Sequence, residues 1–113
     1  MSLDIDLMVT KPTSVWEYNI THNVNKMAMQ VQLGGGLTLY EVLWRPDEHG
    51  MKFACDIAEH LIKGFEILRK DPEHYKKWNP ENGWGSYDGL LRFVSEYHNA
   101  CLDNPDAELR VSR

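Results

Sequence analysis

Leu3, Ile5, Leu7 and Val9 alternate with Asp4, Asp6, Met8 and Thr10. A two-residue period puts the first set on one face of a strand and the second set on the other. Lys11-Pro12-Thr13-Ser14 carries turn chemistry. Residues 15–20 resume the alternation, with Trp16, Tyr18 and Ile20 on one side. Strand, proline-containing turn and strand predict an antiparallel hairpin.

From Asn23 the period lengthens. Val24, Met27, Ala28 and Val31 are spaced for one face of a helix. Thr21 or Asn23 would cap it, and Gly34-Gly35-Gly36 would end it as a flexible link. No Lys-Ser/Thr pair follows those glycines, so they are not a phosphate loop. Thr38 with Glu41 three residues on reads as a capping box opening a short helix over residues 39–43. After Arg45-Pro46 the longest helix is predicted over residues 51–69, its stripe formed by Ala54, Ile57, Ala58, Leu61, Phe65 and Leu68. Asp71-Pro72-Glu73 has the order of N-cap, first-turn proline and first-turn acid. It opens a short helix reaching Trp78.

Ser86 is placed to cap a last helix in which Leu90, Phe93, Val94, Tyr97 and Cys101 share a face. Asn104-Pro105 stops that helix, and Ala107 to Val111 alternate again, as a third strand returning to the first. The reading is a single α+β domain over residues 1–113. It has a small antiparallel sheet, the N-terminal hairpin plus a C-terminal strand, with helices packed on one face. A chain of 113 residues buries roughly two-thirds of its unfolded surface, enough for one core.

Charge narrows the function classes. The net charge is −5, with three basic against six acidic residues in 1–50 and nine against eleven in 51–113. That balance argues against a nucleic-acid partner, which calls for a basic face. Arg69, Lys70, Lys76 and Lys77 are interleaved with Asp71 and Glu73 and read as a solvated helix junction. No apolar run reaches the roughly 20 residues that span a bilayer. The acidic start, Asp4 and Asp6, is unlike a secretion signal. A cytoplasmic protein without a membrane partner is expected. Cys55 and Cys101 both fall on predicted apolar faces, as small core residues of a reducing compartment do.

Two segments carry candidate chemistry. Thr21, His22 and Asn23, with Asn19 and Asn25 beside them, concentrate short polar side chains and an imidazole at a strand-to-helix junction. Capping accounts for one of the five. Asn79-Pro80-Glu81-Asn82-Gly83-Trp84-Gly85-Ser86-Tyr87 sets a large ring between two glycines in a polar loop. Trp84 there either closes one end of the core or stacks on a planar ligand, with Glu81 and Asn82 supplying hydrogen bonds. The binding site expected is Thr21, His22, Asn23, Glu81, Asn82 and Trp84, provided the two segments converge.

Other constellations are thinner. Asp56 with His60, and Asp71 with His74, lack the third ligand a metal requires, so no metal or cofactor is implied. Asp4 and Asp6 form a polar row on one strand face. Neither cysteine has an activating histidine close in sequence.

Asp4-Ile5-Asp6-Leu7, Asn19-Ile20-Thr21-His22-Asn23, Leu43-Trp44-Arg45-Pro46 and the segment from Asn79 to Tyr87 resemble a set of small proteins encoded by bacteriophages and bacterial mobile elements. The resemblance covers most of the chain and implies origin and size, with no activity or catalytic residue attached. The leading expectation is a non-catalytic binding or accessory protein holding a small polar or planar ligand or a protein partner. A homo-oligomeric interaction module is the second, since four tryptophans and five tyrosines invite an interface at Trp16, Trp44 and Trp78. A small enzyme using His22 as acid or base, oriented by Asp4 or Glu81, is the third.

Overall fold

The computed structural model describes residues 2–8, 14–80, 83 and 85–112, with the side chains of 14–17 and 21 outside that description. The first strand, β1 (Ser2–Met8), is the centre of a three-stranded antiparallel sheet. It lies between β2 (Ser14–Thr21) and β5 (Glu108–Ser112). The alternation predicts this arrangement because Leu3, Ile5 and Leu7 bury one face completely. Their partners in register are Ile20, Tyr18 and Trp16 on one side, and Val111 and Leu109 on the other. A one-residue slip would turn these side chains to the opposite face, so the core sets the register.

Two long helices build the core beside the sheet, the second packed on β2 and the first packed on the second. The first, α3 (Ala54–Lys70), buries Ala54, Ile57, Leu61, Gly64 and Leu68. The second, α5 (Tyr87–Asp103), buries Leu90, Phe93, Val94, Tyr97 and Cys101 among others. They run antiparallel. The Tyr87 hydroxyl at the start of α5 donates to the Leu68 carbonyl near the end of α3 at 2.6 Å. At the other end, the Cys55 N–H bonds the Pro105 carbonyl at 3.0 Å. Ser86 caps α5 by accepting from the Gly89 N–H at 3.1 Å, as its position foretells. Asp71 accepts from the His74 N–H at 3.4 Å, at the start of α4 (Pro72–Lys76).

Three expectations are corrected. Helix α1 is only Asn25–Met29. It is preceded by a tight turn over His22–Val24, and the N-cap position falls on Val24 instead of Asn23, while the side chain of Thr21 lies outside the described residues. After Gln30 the chain extends. Gln32–Gly34 (β3) pairs with Leu37–Thr38 (β4), and the glycines form the hairpin turn between them instead of a flexible link. Gly35 and Gly36 have φ of 60° and 81°, the left-handed pair a two-residue hairpin loop demands. The Lys63 ammonium donates to the Leu33 carbonyl at 2.6 Å and holds that hairpin on α3.

Helix α3 begins at Ala54, not Met51. Residues 52–54 are drawn into extended pairing with β5 through Ala54 N–H to Ala107 O at 2.8 Å and Leu109 N–H to Lys52 O at 2.9 Å. Cys55 is exposed, because the helical period puts it off the stripe of Ala54, Ile57 and Leu61, and so it is not the core residue expected, while Cys101 is fully buried. Between the hairpin and α3, α2 (Leu39–Trp44) buries Leu39, Val42, Leu43 and Trp44. The Glu41 carboxylate accepts from the Thr38 N–H at 3.0 Å and from its hydroxyl at 2.7 Å, which secures the start of that helix. Among the described residues, no helix is long and apolar enough to cross a membrane.

Candidate functional site

In the turn His22–Val24 and helix α1, Val24, Met27 and Ala28 point into the core. His22, Asn23, Asn25 and Lys26 are left toward the groove, and Met29 at the helix end is 38% exposed. On the other side, the end of α4 continues as a turn through Trp78 N–H to Tyr75 O at 3.0 Å and Asn79 N–H to Lys76 O at 3.1 Å. It presents Lys77, Trp78, Asn79 and Pro80. These two sets of four line one groove of about 540 Å³. His22 and Asn23 of the strand-to-helix junction therefore share a groove with Asn79 and Pro80, the first two residues of the glycine–tryptophan loop.

His22 is half-buried and set edge-on to the Trp44 indole, with centroids 6.1 Å apart and planes at 62°. Trp44 in turn stacks on Tyr40 at 5.5 Å and 15°. The Arg45 Nε donates to the Tyr40 hydroxyl at 3.1 Å, and its Nη1 reaches Glu48 at 2.7 Å. The hydrogen bonds from Tyr40 and Glu48 push the Arg45 pKa further up. The wall behind His22 is thus a ring stack closed by an ion pair. The His22 Nε2 is sealed from solvent with no hydrogen-bond partner among the described residues. A polar atom in that condition costs about 1–3 kcal/mol, and such atoms call for a structural or functional reason.

Asn79 serves the fold and the groove together. Its Oδ1 accepts from the Tyr87 N–H at 2.8 Å, closing the loop across residues 79–87 and satisfying a free donor of α5. Gly83 and Gly85 within that loop have φ of 77° and 101°, angles that glycine alone adopts readily. Trp78 keeps 38% of its surface exposed beside the groove.

The electrostatics differ from those of the whole chain. Lys26 and Lys77 bring two positive charges to the groove, and none of its described lining residues is acidic. Among the described residues neither ammonium takes part in an ion pair, whereas Arg69 pairs with Glu66 at 2.8 Å and Lys76 approaches Glu73 at 3.9 Å. The basic cluster near residues 69–77 is therefore divided. Part of it is a solvated helix junction, as its sequence suggests, and Lys77 belongs to the groove.

A second depression of about 380 Å³ lies against the sheet and is lined by Asp4, Asp6, Tyr18 and Asn19. The two aspartates share a face, as alternation requires. Burial, with Glu96 nearby, raises the Tyr18 pKa. Asp4 lines this depression and not the His22 groove, and no carboxylate hydrogen-bonds His22 among the described residues. No group of three or more His, Cys, Asp or Glu side chains among them could hold a metal ion. The Asp56 carboxylate is engaged with the N–H groups of Lys52 and Phe53, at 2.9 Å each, which lowers its pKa.

Of the six site residues expected from sequence, His22 and Asn23 line the groove. Thr21 ends β2 opposite Ser2, its side chain outside the described residues. Glu81, Asn82 and Trp84 also lie outside the described residues. The interface candidate Trp44 is 3% exposed and belongs to the core. Sequence reasoning did not find Lys26 or Lys77, although Lys26 follows His22 by four positions, a spacing that can share one face of a helical segment. Comparison of the chain with family models, with curated proteins and with solved structures found no match in any of the three.

Proposed function

We propose that this protein is a non-catalytic binding or accessory protein of the cytoplasm, and that the groove between residues 22–26 and 77–80 is where it holds a small polar or planar ligand. One observation carries this reading. Two segments more than fifty residues apart in sequence build a single groove furnished with two lysines, three asparagines, an imidazole and a partly exposed indole. Convergent polar groups that fix a ligand's orientation are one element of a small-molecule site, and here they dominate the described lining. The frame here is firm, because Asn79 is tied to α5 and His22 rests on the Trp44–Tyr40 stack.

In this reading the amides and ammonium groups that the described part of the groove offers are groups that hold a ligand by hydrogen bonds and charge.

The test is a two-dimensional amide map recorded while the protein is titrated with pooled small metabolites. Binding in the groove moves the amides of residues 22–26 and 77–79 and leaves the open face of the sheet unmoved. Saturating changes confined to β5 or to the Asp4–Asp6 depression would contradict the assignment of the site.

A further inference from the structure

The groove differs in charge from the protein that carries it. The chain is acidic overall, yet the described groove lining holds two lysines and no carboxylate. A surface left to chance on this chain would mix the signs, as the Arg69–Glu66 and Lys76–Glu73 pairs do. Two ammonium groups in one concavity, with no carboxylate among its described lining residues, repel each other, and a bound anion removes that repulsion.

The hydrogen-bonding groups agree. The Oδ1 of Asn79 already accepts the Tyr87 N–H, so its amide offers the groove two N–H donors and one remaining lone pair. Donors and cations together select an electron-rich oxygen. The third element is Trp78, whose half-open indole supplies a flat apolar face beside the lysines. Among the described residues the cation–ring contacts are Lys52 with Phe53, Arg69 with Phe65 and Lys76 with Tyr87, and neither groove lysine is spent over Trp78. At about 540 Å³ the groove is far larger than an inorganic anion and within the range of small-molecule sites. Two cations are also too few for a polymer, whose affinity grows with each phosphate neutralised.

Resting on the binding reading above, we infer that the groove takes a small molecule in which an aromatic ring carries a phosphate or carboxylate, the ring against Trp78 and the anionic group between Lys26 and Lys77. Asn79 donates to the same anionic group or to a ring substituent next to it. Both lysines are exposed and contribute to binding through charge, so binding weakens as salt screens them.

The experiment is calorimetric titration at low salt with four probes, namely adenosine monophosphate, indole-3-acetate, adenosine and inorganic phosphate, followed by the amide map for each. Adenosine monophosphate or indole-3-acetate is expected to bind at least ten-fold more tightly than adenosine or phosphate. Which of the two prevails tells a phosphate from a carboxylate. Lys26→Gln with Lys77→Gln is expected to remove that advantage, and Trp78→Ala to weaken the ring-bearing anions while leaving phosphate unchanged. Both lysines are exposed, so the double variant keeps its fold, checked by an unchanged amide map away from the groove. Adenosine binding in the groove as tightly as its monophosphate would overturn the inference and leave the binding reading standing. Phosphate binding as tightly as the ring-bearing anions would remove the aromatic half. If none of the four moves an amide of residues 22–26 or 77–79, the inference fails. The metabolite titration then decides the binding reading separately.

Discussion

The side-chain oxygen of Asn79 accepts the backbone N–H of Tyr87 at 2.8 Å, so one residue both lines the groove and closes the loop that leads into the last helix. Ser86 takes a second donor of the same helix start. A helix leaves its first N–H groups without partners, and here two side chains eight residues or fewer upstream supply them. Replacing Asn79 by alanine strands the Tyr87 N–H. The expected loss is about 1 kcal/mol, read as a lower urea midpoint at unchanged slope. Asn79→Asp keeps the acceptor and adds a negative charge beside a helix N-terminus, so its stability is expected within about 0.5 kcal/mol of wild type. Its groove would bind anions more weakly.

Gly64 brings α3 against Leu39. A β-carbon at Gly64 would stand 2.9 Å from Leu39 Cδ1 and 3.4 Å from Cδ2. Alanine gains about 1 kcal/mol of helix propensity over glycine, but Leu39 is fully buried and has little room to turn. Overpacking of this kind costs about 1–3 kcal/mol, so Gly64→Ala is expected to be destabilising by about 1 kcal/mol. Paired with Leu39→Ala, which clears the space, the same change is expected to be stabilising relative to Leu39→Ala alone. A chemical-denaturation cycle on the four proteins measures both signs.

The two thiols should separate cleanly. Cys55 is exposed and Cys101 is buried, its pKa pushed up by burial, then by Cys55, from 9.0 to about 12. At pH 8 a thiol reagent is expected to modify one cysteine per chain, Cys55, with the second reacting only after denaturation. Peptide mapping of the first-modified site checks the assignment, and early modification of Cys101 would contradict the burial.

The same burial makes alkaline pH destabilising. Below pH 9 the Cys101 thiol is protonated whether folded or not, so its contribution is fully present. Between 9 and about 12 the unfolded chain releases the proton while the folded chain retains it. Stability therefore falls as pH rises, by about 1.4 kcal/mol per pH unit for one such group. Tyr97, buried as deeply, has its pKa raised well above the usual 10.0 and acts in the same direction. Unfolding midpoints measured from pH 8 to 11 are expected to decline, and the decline is expected to be shallower in Cys101→Ala and in Tyr97→Phe.

Much of the fold was legible because its signals are local. The alternation at residues 3–9, 15–20 and 107–111 foretold three strands, and the sheet order β2-β1-β5 follows from a hairpin plus a returning strand. Thr38 with Glu41, Asp71 and Ser86 marked helix starts because capping is a matter of three or four neighbouring residues. The misreadings share a cause. Val24, Met27, Ala28 and Val31 are all fully buried, yet the chain is helical only to Met29. Burial from several sides imitates a helical stripe when the element is barely longer than one turn. The glycines at 34–36 read as a link because β3 and β4 are three and two residues long, too short to show a period.

The groove was legible only in part. His22 and Asn23 stood out because five polar residues crowd one junction, more than capping can use. Lys77 did not, because its neighbours Asp71 and Glu73 made the segment look like an ordinary solvated surface. That Lys77 would share a cavity with Lys26 depends on how α4 and α1 are carried around the core, and no local pattern records that.

The most direct measurement is the native mass of the full chain isolated from its own host, beside the Lys26→Gln, Lys77→Gln variant prepared in the same way. The account predicts that wild-type protein retains a discrete small mass above that of the polypeptide, lost on gentle collisional activation and absent from the variant. Wild type and variant carrying the same adduct, or wild type with none under conditions that keep a known small-molecule complex intact, would contradict it.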